Sequence, residues 1–359
     1  MYKLIRQIKY LIKSFILYIL ATIFLPFLLI YARLINKRPL FVIAEPYGQL
    51  GNRLILFSHF IAFALKNNYE VLNPAFGRYG VLFQTTNKDL FCRFPPRSSF
   101  IRGHEIIRAI FCNIVNGISV LVRDKLKNVS IGTIELPFFE FDEKYLLNGE
   151  SIFSGKELCL DSQNFLHLIE NKDVIFIRGW RFRDDKHFQE FADEIRRYFT
   201  PIESIQKNVD FLIKQARTDC EILVGVHIRH TSYKKWLKGR YFYSIDEFIT
   251  IMKKMEDLFF GKQIGFLLCS DSMLDNSMFI NLNVTFTNNH FVEDLYALAK
   301  CDYILGPPST YSGWASFYGK VPLHWIEKAN EDITFDSFKV FYLLRGTEFK
   351  LKSGATFIL

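Results

Sequence analysis

The stretch that decides the fold is Glu221-Ile-Leu-Val-Gly-Val-His-Ile-Arg-His-Thr-Ser-Tyr233. Its apolar, β-branched start, Ile222–Val226, predicts a buried strand. His227 and Arg229 are separated by one residue, so they share a face of that strand. The fork of donors on Arg suits phosphate oxygens, and His donates a hydrogen bond or carries a proton. This pattern is typical of an anion site at the carboxyl edge of an open α/β sheet; the alternative is a strand end that meets solvent.

Two further predicted strands in the second half also end in polar side chains. The first, Ile264–Leu268, is followed by Ser270 and Asp271, and the strand over 302–306 is followed by Ser309, Thr310 and Ser312. Because the carboxyl ends of parallel strands meet at one edge of a sheet, we expect these side chains to converge with His227 and Arg229 on a ligand. Hydroxyls at the start of a helix also cap it, and the two roles are compatible.

The first half opens with a strand, Pro39–Ala44, a turn, Glu45–Arg53, and a helical pattern from Leu54 to Leu65. Gly48 and Gly51 permit close approach of the backbone to a phosphate or sugar at a helix N-terminus. The spacing is neither a Walker loop nor a dinucleotide fingerprint, so a plain βα turn is the alternative. The strand-plus-helix pattern restarts after Thr200-Pro201, which predicts domains at 39–200 and 201–359.

Composition and charge exclude several classes of protein. The chain has 359 residues, half of them apolar and 16% aromatic, which suffices for two ordered domains. Its net charge is +8, and seven positive charges without an acid lie in residues 1–38. The rest of the chain is nearly neutral, so the basicity does not indicate a nucleic-acid partner.

The basic segment 1–38 contains a 19-residue apolar run, Ser14–Ala32, interrupted only by Pro26. That length crosses the hydrocarbon layer of a bilayer, and we predict a membrane anchor. A buried helix and a kinked helix lying in the membrane interface are the alternatives. Positive charges on both flanks leave the orientation open. Because the first core strand begins only at Pro39, we expect a chain that starts near Arg38 to fold.

Cysteine and acid spacing gives no metal site. The six cysteines form no C-x-x-C pair and are too sparse for a disulfide scaffold, which weakly favours a reducing compartment. No D-x-D pair and no His/Cys ligand spacing is present. We therefore predict no metal and no cofactor.

Three motifs together resemble the superfamily of GDP-fucose-dependent fucosyltransferases, especially the α1,2-fucosyltransferases and their bacterial relatives. Gly48-Gln-Leu-Gly-Asn-Arg53 is similar to the family's G-x-x-G-N element after the first strand, and Gly225-Val-His-Ile-Arg-His230 to its G-x-H-x-R-R motif. The segment Asp294–Trp314 is similar to its helix–strand–"S-T-F-S-x-W" element. The three span nearly all of the chain after the anchor. The last two, in this order and spacing, are fairly specific.

The resemblance implies a GT-B-like α/β fold, in which two Rossmann-type domains face each other across a cleft behind an N-terminal membrane anchor helix. The N-terminal domain would be the acceptor side and the C-terminal domain the donor side. It also implies inverting, metal-independent transfer of fucose from GDP-fucose, a nucleotide-sugar donor, to a glycan acceptor. The catalytic domain would lie at the cytoplasmic face in a bacterium and in the Golgi lumen in a eukaryote.

The resemblance further implies roles for individual residues. Arg229 and His227 would be catalytic: Arg229 would stabilise the departing pyrophosphate, and His227 would contact the donor. The implied substrate-binding residues are Gly48, Gly51, Asn52, His230, Ser270, Asp271, Ser309, Thr310 and Ser312. Within that set, Asn52 would reach the phosphate or the sugar. The hydroxyl residues after the last strand, Ser309, Thr310 and Ser312, would hold the pyrophosphate. Ser270 and Asp271 would contact the base or the ribose.

One departure from the family pattern lies after the central motif. The family continues with a second Arg and, two residues later, an acid; here these positions are His230 and Ser232. Asp246 and Glu247 are nearby candidates for the missing carboxylate. The alternatives are therefore the same fold with another nucleotide sugar, or a catalytically silent relative that binds nucleotide sugar or glycan.

Overall fold

A computed structural model describes residues 2–97, 103–124, 130–136, 158–287, 290–341, 349–350 and 356–357. At 2–11, 13–14, 349–350 and 356–357 it describes the backbone only, so the side chains of Lys3, Arg6, Lys9 and Lys13 lie outside the described part. The described chain forms two compact units that divide between Thr200 and Pro201. Each unit contains a parallel sheet and helices, which confirms the predicted α/β class.

The first unit is built on a four-stranded parallel sheet in the order β2-β1-β5-β3. The strands β1 and β5 are buried at every position, as expected of parallel strands covered on both faces. In chain order the elements are α1 (Tyr2–Ile30), a π-helical segment (Tyr31–Asn36), β1 (Leu40–Ile43), α2 (Leu50–Asn67), β2 (Glu70–Leu72), a 3-10 turn (Pro74–Phe76), α3 (Gly77–Gly80), α4 (Glu105–Asp124), β3 (Ile131–Glu135), β4 (Leu158–Cys159), α5 (Gln163–Ile169), β5 (Val174–Arg178), β6 (Phe182–Arg183), α6 (Asp185–Glu190) and α7 (Ala192–Tyr198).

The second unit is built on a six-stranded sheet in the order β12-β11-β10-β7-β8-β9, parallel except for β12. Its elements are α8 (Glu203–Ala216), β7 (Ile222–Ile228), a 3-10 segment (Trp236–Gly239), α9 (Ile245–Leu258), β8 (Ile264–Ser270), a 3-10 turn (Asn276–Phe279), β9 (Val284–Phe286), α10 (Phe291–Leu298), β10 (Tyr303–Gly306), α11 (Thr310–Gly319), β11 (Pro322–Trp325), a 3-10 turn (Phe335–Ser337), β12 (Lys339–Val340), β13 (Phe349–Lys350) and β14 (Thr356–Phe357).

Both large sheets reverse their strand order at one place. In the second unit the chain runs from β7 outward through β8 to β9, then returns to place β10 on the other side of β7. In the first unit the reversal lies between β1 and β5. Ligands of open α/β sheets bind outside the carboxyl ends of the strands at such a switch point. The fold therefore directs attention to the loops that follow β1, β5, β7 and β10.

The second half of the N-terminal helix is part of the first unit's core. Ala21, Leu25, Leu28 and Ala32 are at most 8% exposed and belong to one apolar cluster with β1, β5 and α4. Hydropathy alone predicts an anchor that is separable at Arg38, whereas the structure makes this part of the helix one layer of the domain. The expectation that a chain starting near Arg38 folds is therefore wrong, because such a chain would expose the cluster.

Polar contacts fasten the end of this helix to the same unit. The Tyr31 hydroxyl donates to Oε1 of Glu70 at 2.7 Å, and the Glu70 side chain is fully buried. The Arg33 guanidinium donates to Oδ2 of Asp173 through Nε at 2.9 Å. A buried carboxylate without its hydrogen-bond donor is unfavourable. Removal of the Tyr31 side chain would therefore destabilise the unit by more than the lost apolar contacts of the Tyr31 ring alone.

Candidate functional site

His227 stands near the carboxyl end of β7, buried to 4% exposure. Its ring stacks on Tyr311 of α11 with centroids 4.9 Å apart and planes 30° apart. The ring atom Nδ1 is buried and has no hydrogen-bond partner among the described residues. Burial, followed by the positive charge of Arg229, lowers the pKa of His227 to about 3. The ring is therefore neutral at physiological pH and suited to hydrogen bonding with a ligand.

Asp271, the residue after β8, organises the loop that follows β7. Its Oδ1 accepts from the backbone N–H of His230 at 2.7 Å and of Thr231 at 3.2 Å, and its Oδ2 accepts from the Thr231 hydroxyl at 2.6 Å. Burial raises the pKa of Asp271, but these hydrogen bonds and the charge of Arg229 outweigh it and leave the pKa below its ordinary value. Asp271 is thus an ionised anchor for the loop.

Arg229 is held on three sides. Its Nε lies 3.4 Å from Oδ2 of Asp271, and its Nη2 donates to the Ser232 hydroxyl at 2.9 Å. The guanidinium carbon sits 5.2 Å from the centroid of the Tyr233 ring. Its side chain is 18% exposed. A planar cation fixed in this way at the switch point of a sheet has the geometry to bind a phosphate group.

Ser232, at the position where the resembled family carries an acid, accepts a hydrogen bond from Nη2 of Arg229 through its hydroxyl. The carboxylate paired with that guanidinium is Asp271, the residue after β8, whose Oδ2 lies 3.4 Å from Nε. Glu247, one of the two candidates from the sequence, bonds the backbone and hydroxyl of Ser244 in a capping box at the start of α9. Asp246 lies in the first turn of the same helix.

His230 contributes its backbone to the site and its ring to the packing. Nε2 of the ring is 2.9 Å from the carbonyl oxygen of Tyr243. The ring also lies against Phe242 and Phe248, with centroids 5.1 and 6.4 Å away. The described contacts of this side chain are therefore structural, and its predicted role in substrate binding stays a prediction.

The hydroxyl residues after β10 form the start of α11. The Ser309 hydroxyl oxygen caps the helix by accepting from the backbone N–H of Tyr311 at 3.2 Å. The fully buried Ser312 hydroxyl donates to the Ser309 carbonyl and accepts from Nε1 of Trp325, both at 3.2 Å. Thr310 opens the helix, half-buried. Capping is thus present, and the N-terminal end of this helix also has the polarity that suits an anion.

One hydrogen bond joins two of the loops at this edge, and another lies within the turn after β8. The Tyr233 hydroxyl donates to the carbonyl oxygen of Pro308 at 2.6 Å and so joins the loop after β7 to the loop after β10. Ser270, the last residue of β8, accepts from the backbone N–H of Ser272 at 3.1 Å. The structure therefore brings the predicted residues of the second half to one edge of one sheet.

Asp294 is a candidate that the sequence motif contains but to which we assigned no role. It lies in the first turn of α10, 4% exposed, and burial raises its pKa to about 7. Its Oδ1 is buried without a hydrogen-bond partner among the described residues. The only signal in the sequence is that Asp294 is followed directly by the apolar residue Leu295. In the structure the other acid of this helix, Glu293, is more exposed. Buried polar atoms are normally hydrogen-bonded, so His227 Nδ1 and Asp294 Oδ1 point to a polar ligand.

The glycine-rich turn of the first unit lies at the carboxyl end of β1. Gly48 has φ +62°, and a Cβ there would meet Nδ2 of Asn52 at 2.5 Å, so the Asn52 side chain fits only against glycine. Nε of Arg53 donates to the Gly48 carbonyl at 3.1 Å and stiffens the turn. Gly51 is buried in the first turn of α2.

Glu45 connects this turn to the neighbouring strand at the switch point of the first sheet. Its Oε2 accepts from the backbone N–H of Gly179 at 2.7 Å, and its Oε1 lies 3.3 Å from Nη2 of Arg178. The turn is therefore a rigid βα connection with a helix N-terminus. Its predicted role in binding phosphate or sugar stays a prediction.

The fold is similar to that of solved GDP-dependent fucosyltransferases. A mutant of Arabidopsis thaliana FUT1 in complex with GDP is similar over 88% of this chain and 76% of its own, with 13% identity and a TM-score of 0.52. Bradyrhizobium NodZ α-1,6-fucosyltransferase soaked with GDP-fucose is similar over 82% and 98%, with 15% identity and a TM-score of 0.47. POFUT1 in complex with GDP is similar over 78% and 94%, with 13% identity and a TM-score of 0.45.

The predicted GT-B-like fold is confirmed by the similarity to the Arabidopsis structure. At 13% identity this similarity establishes the fold. No protein-family model and no curated protein sequence matches the chain.

Proposed function

We propose that this chain is a membrane-associated glycosyltransferase that transfers fucose from GDP-fucose to a glycan acceptor, with inversion and without a metal ion, as α1,2-fucosyltransferases do. The observation that carries the proposal is the fixed position of Arg229, between Asp271 and Ser232 at the switch point of a GT-B-like sheet. The GDP in the Arabidopsis protein of similar fold is a diphosphate ligand of the kind this site would bind.

Arg229 stabilises the leaving group in this mechanism. As the sugar–phosphate bond breaks, negative charge accumulates on the diphosphate, and a preorganised cation lowers the energy of that transition state. Asp271 forms an ion pair with the guanidinium on its Nε side and the Ser232 hydroxyl accepts from Nη2, which leaves Nη1 to reach phosphate oxygens. The N-terminus of α11 adds backbone N–H groups of the same polarity.

Asp294 and His227 favour guanine over other bases. Guanine offers neighbouring N–H donors on one edge, and a carboxylate accepts two such bonds at once. Asp294 has a buried oxygen, Oδ1, without a partner among the described residues, and burial raises its pKa to about 7 even though the neighbouring Thr287 hydroxyl lowers it. Further donors would favour the ionised carboxylate. The neutral ring of His227 provides a further hydrogen-bonding atom, Nδ1. GDP is therefore the preferred nucleotide.

Thermal shift with GDP, GDP-fucose, GDP-mannose, UDP and CDP tests the donor. A rise in melting temperature with GDP and GDP-fucose supports the proposal. A preference for UDP or CDP would instead support a related enzyme with another nucleotide sugar. If none of these compounds raises the melting temperature, the result would support a catalytically silent relative that binds glycan alone.

The Arg229→Ala variant tests the mechanism. Loss of one preorganised donor costs about 10²–10³ in kcat, roughly 3–4 kcal/mol. Arg229→Lys should restore only part of the rate, because an ammonium keeps the charge and loses the planar fork.

Arg217→Ala is the matched control for Arg229→Ala. Arg217 pairs with both carboxylate oxygens of Asp302 at 2.9 and 3.0 Å, ahead of the amino end of β10. Its loss should lower the melting temperature and leave kcat intact. A near-normal kcat in Arg229→Ala would show that Arg229 only pairs with Asp271, as Arg217 pairs with Asp302.

A further inference from the structure

The N-terminal helix has two apolar faces, of which only one is used inside the protein. While Leu25 and Leu28 are buried in the core, Phe15 and Ile23 on the same helix are 66% and 68% exposed. An exposed apolar face of this length is costly in water and indicates a partner. The question is which partner covers it.

The helix α4 extends the exposed face. Ile106, Ile107 and Ile110 in its first half are 66%, 49% and 55% exposed. The residues of α1, the π-helical segment and α4 account for thirteen of the twenty-one large apolar side chains that are exposed in the described part of the chain. By length and composition both helices are apolar enough for a bilayer, with mean hydropathy 2.5 over an 18-residue window within 15–36 and 1.7 over one within 105–124.

The two helices are in direct contact, so their exposed side chains form one surface. The rings of Phe24 and Phe111 meet edge to face at 6.0 Å. A Cβ at Gly117 would come 2.8 Å from Leu17, so the glycine allows α1 to approach α4 closely. A groove of about 460 Å³ runs between them, lined by apolar side chains apart from Asn113. We call the exposed side chains of both helices and this groove the two-helix face.

The position of α1 rules out a transmembrane path for it. From Ala21 onward the helix packs on the first unit's core, and Tyr31 and Arg33 bond to Glu70 and Asp173 of that unit. The apolar run that remains, 14–20, is seven residues or about 10 Å long, against about 30 Å of hydrocarbon. Cations flank the whole apolar run 14–32 on both sides, at 3–13 and 33–38, and keep both ends of the helix at headgroup level.

We infer that the two-helix face embeds in one leaflet of an anionic lipid bilayer, with α1 lying along the membrane surface and α4 as a second contact. This rests on the membrane association proposed above and specifies its form. Residues 1–38 contain seven cations and no acid; the six besides Arg33, which pairs with Asp173, complement anionic headgroups, and the apolar side chains enter the acyl region beside them. The first unit, which carries both helices, then lies at the surface of the same leaflet.

Vesicle flotation of the full chain tests the inference. The native protein should float with vesicles of phosphatidylcholine and phosphatidylglycerol, and less with phosphatidylcholine alone. The double variant Ile106→Glu/Ile110→Glu should bind the mixed vesicles at least tenfold more weakly, since each side chain loses its burial among the acyl chains and gains a charge. That pair lies in α4, outside the apolar run of α1.

Leu168→Glu/Phe211→Glu is the matched control. These side chains are 50% and 63% exposed on α5 and α8, so the charge added is equal and the location differs. The control should float like the native protein. Melting temperature and the GDP shift of both double variants should match the native values, which shows that they fold.

The outcomes separate the two proposals. Equal flotation of the native chain and the α4 variant would overturn the role of α4. Protection of an N-terminal tag from protease added outside the vesicles would overturn the position along the surface, because a spanning helix places that end inside. Failure of the native chain to float on either lipid, with a normal GDP shift, would remove the membrane association and leave the donor chemistry standing.

Discussion

Replacement of Asp271 by Asn tests whether the Asp271 carboxylate positions Arg229 for the diphosphate or competes with the diphosphate for Arg229. In the native protein Oδ1 accepts two backbone N–H groups, while Oδ2 accepts from Thr231 and approaches Nε of Arg229. The amide keeps one acceptor for the backbone groups of His230 and Thr231. It replaces the second oxygen by an NH₂ group, which turns its hydrogens toward the Arg229 guanidinium. The variant therefore loses the ion pair and preserves most of the loop.

The expected loss follows from the contact and its exposure. Nε of Arg229 and Oδ2 of Asp271 form an ion pair at 3.4 Å, and because both side chains are nearly one fifth exposed, its loss costs about 1.5 kcal/mol. About 1.5 kcal/mol corresponds to a tenfold change in affinity. The opposite effect, relief of repulsion between Asp271 and the diphosphate, is small because three hydrogen-bond donors and the ion pair with Arg229 already compensate the carboxylate. We expect Asp271→Asn to raise the Kd for GDP about tenfold.

Isothermal titration with GDP at low and high salt measures the effect, with Asp275→Asn as the control. Asp275 caps a short 3-10 turn a few residues after Asp271 and accepts from the backbone N–H of Ser277 at 2.9 Å. Its replacement should leave the Kd unchanged. Tighter binding in Asp271→Asn would show that the carboxylate competes with the donor for Arg229, and an unchanged Kd would remove Asp271 from the positioning of Arg229.

Three further predictions concern proton linkage, packing and metal. Burial raises the folded-state pKa of Asp294 to about 7, against about 3.9 unfolded, so this group's contribution to the free energy of unfolding falls as pH rises from 4 to 7. Asp294→Asn should remove that slope, up to about 1.4 kcal/mol per pH unit, in denaturant unfolding across pH, and an unchanged slope would contradict the raised pKa. Leu28→Ala should cost about 2.7–5 kcal/mol in detergent, whereas Ile23→Ala, at a 68% exposed site, should cost little; equal midpoints would place Leu28 outside the core. Transfer of labelled fucose should persist in EDTA, and an absolute need for Mn²⁺ or Mg²⁺ would sink the role given to Arg229.

The second sheet was predictable because its strands are apolar runs of ordinary length between helical patterns. The strands over 222–228, 264–270 and 303–306 begin within one residue of where the sequence predicts them. Hydrophobic patterns in a sequence indicate which residues are buried. In a parallel sheet covered on both faces every strand residue is buried, so each strand shows as an apolar run. The edge at which His227 and Arg229 converge followed from the topology alone.

The partners of individual side chains were not predictable, because they depend on the path of loops. Asp271 was expected at the base or ribose, and the structure shows it bonded to the backbone of the loop after β7. The His230 ring turns toward Tyr243, which a motif cannot reveal. The two faces of α1 are equally apolar in sequence, so hydropathy could not separate Leu28, which is buried, from Ile23, which is exposed.

Because α1 is buried in the core of the first unit, it must wait during synthesis for the residues against which it packs. Leu28 leaves the ribosome early, but Phe176 on β5, which belongs to the same apolar cluster, follows roughly 150 residues later. At about 5–20 residues per second, the helix waits roughly 7–30 s with its inner face uncovered. During that interval both apolar faces of the helix are exposed and need a nearby lipid surface or a chaperone. The helix that completes the first core is therefore also exposed to misassembly while the nascent chain grows.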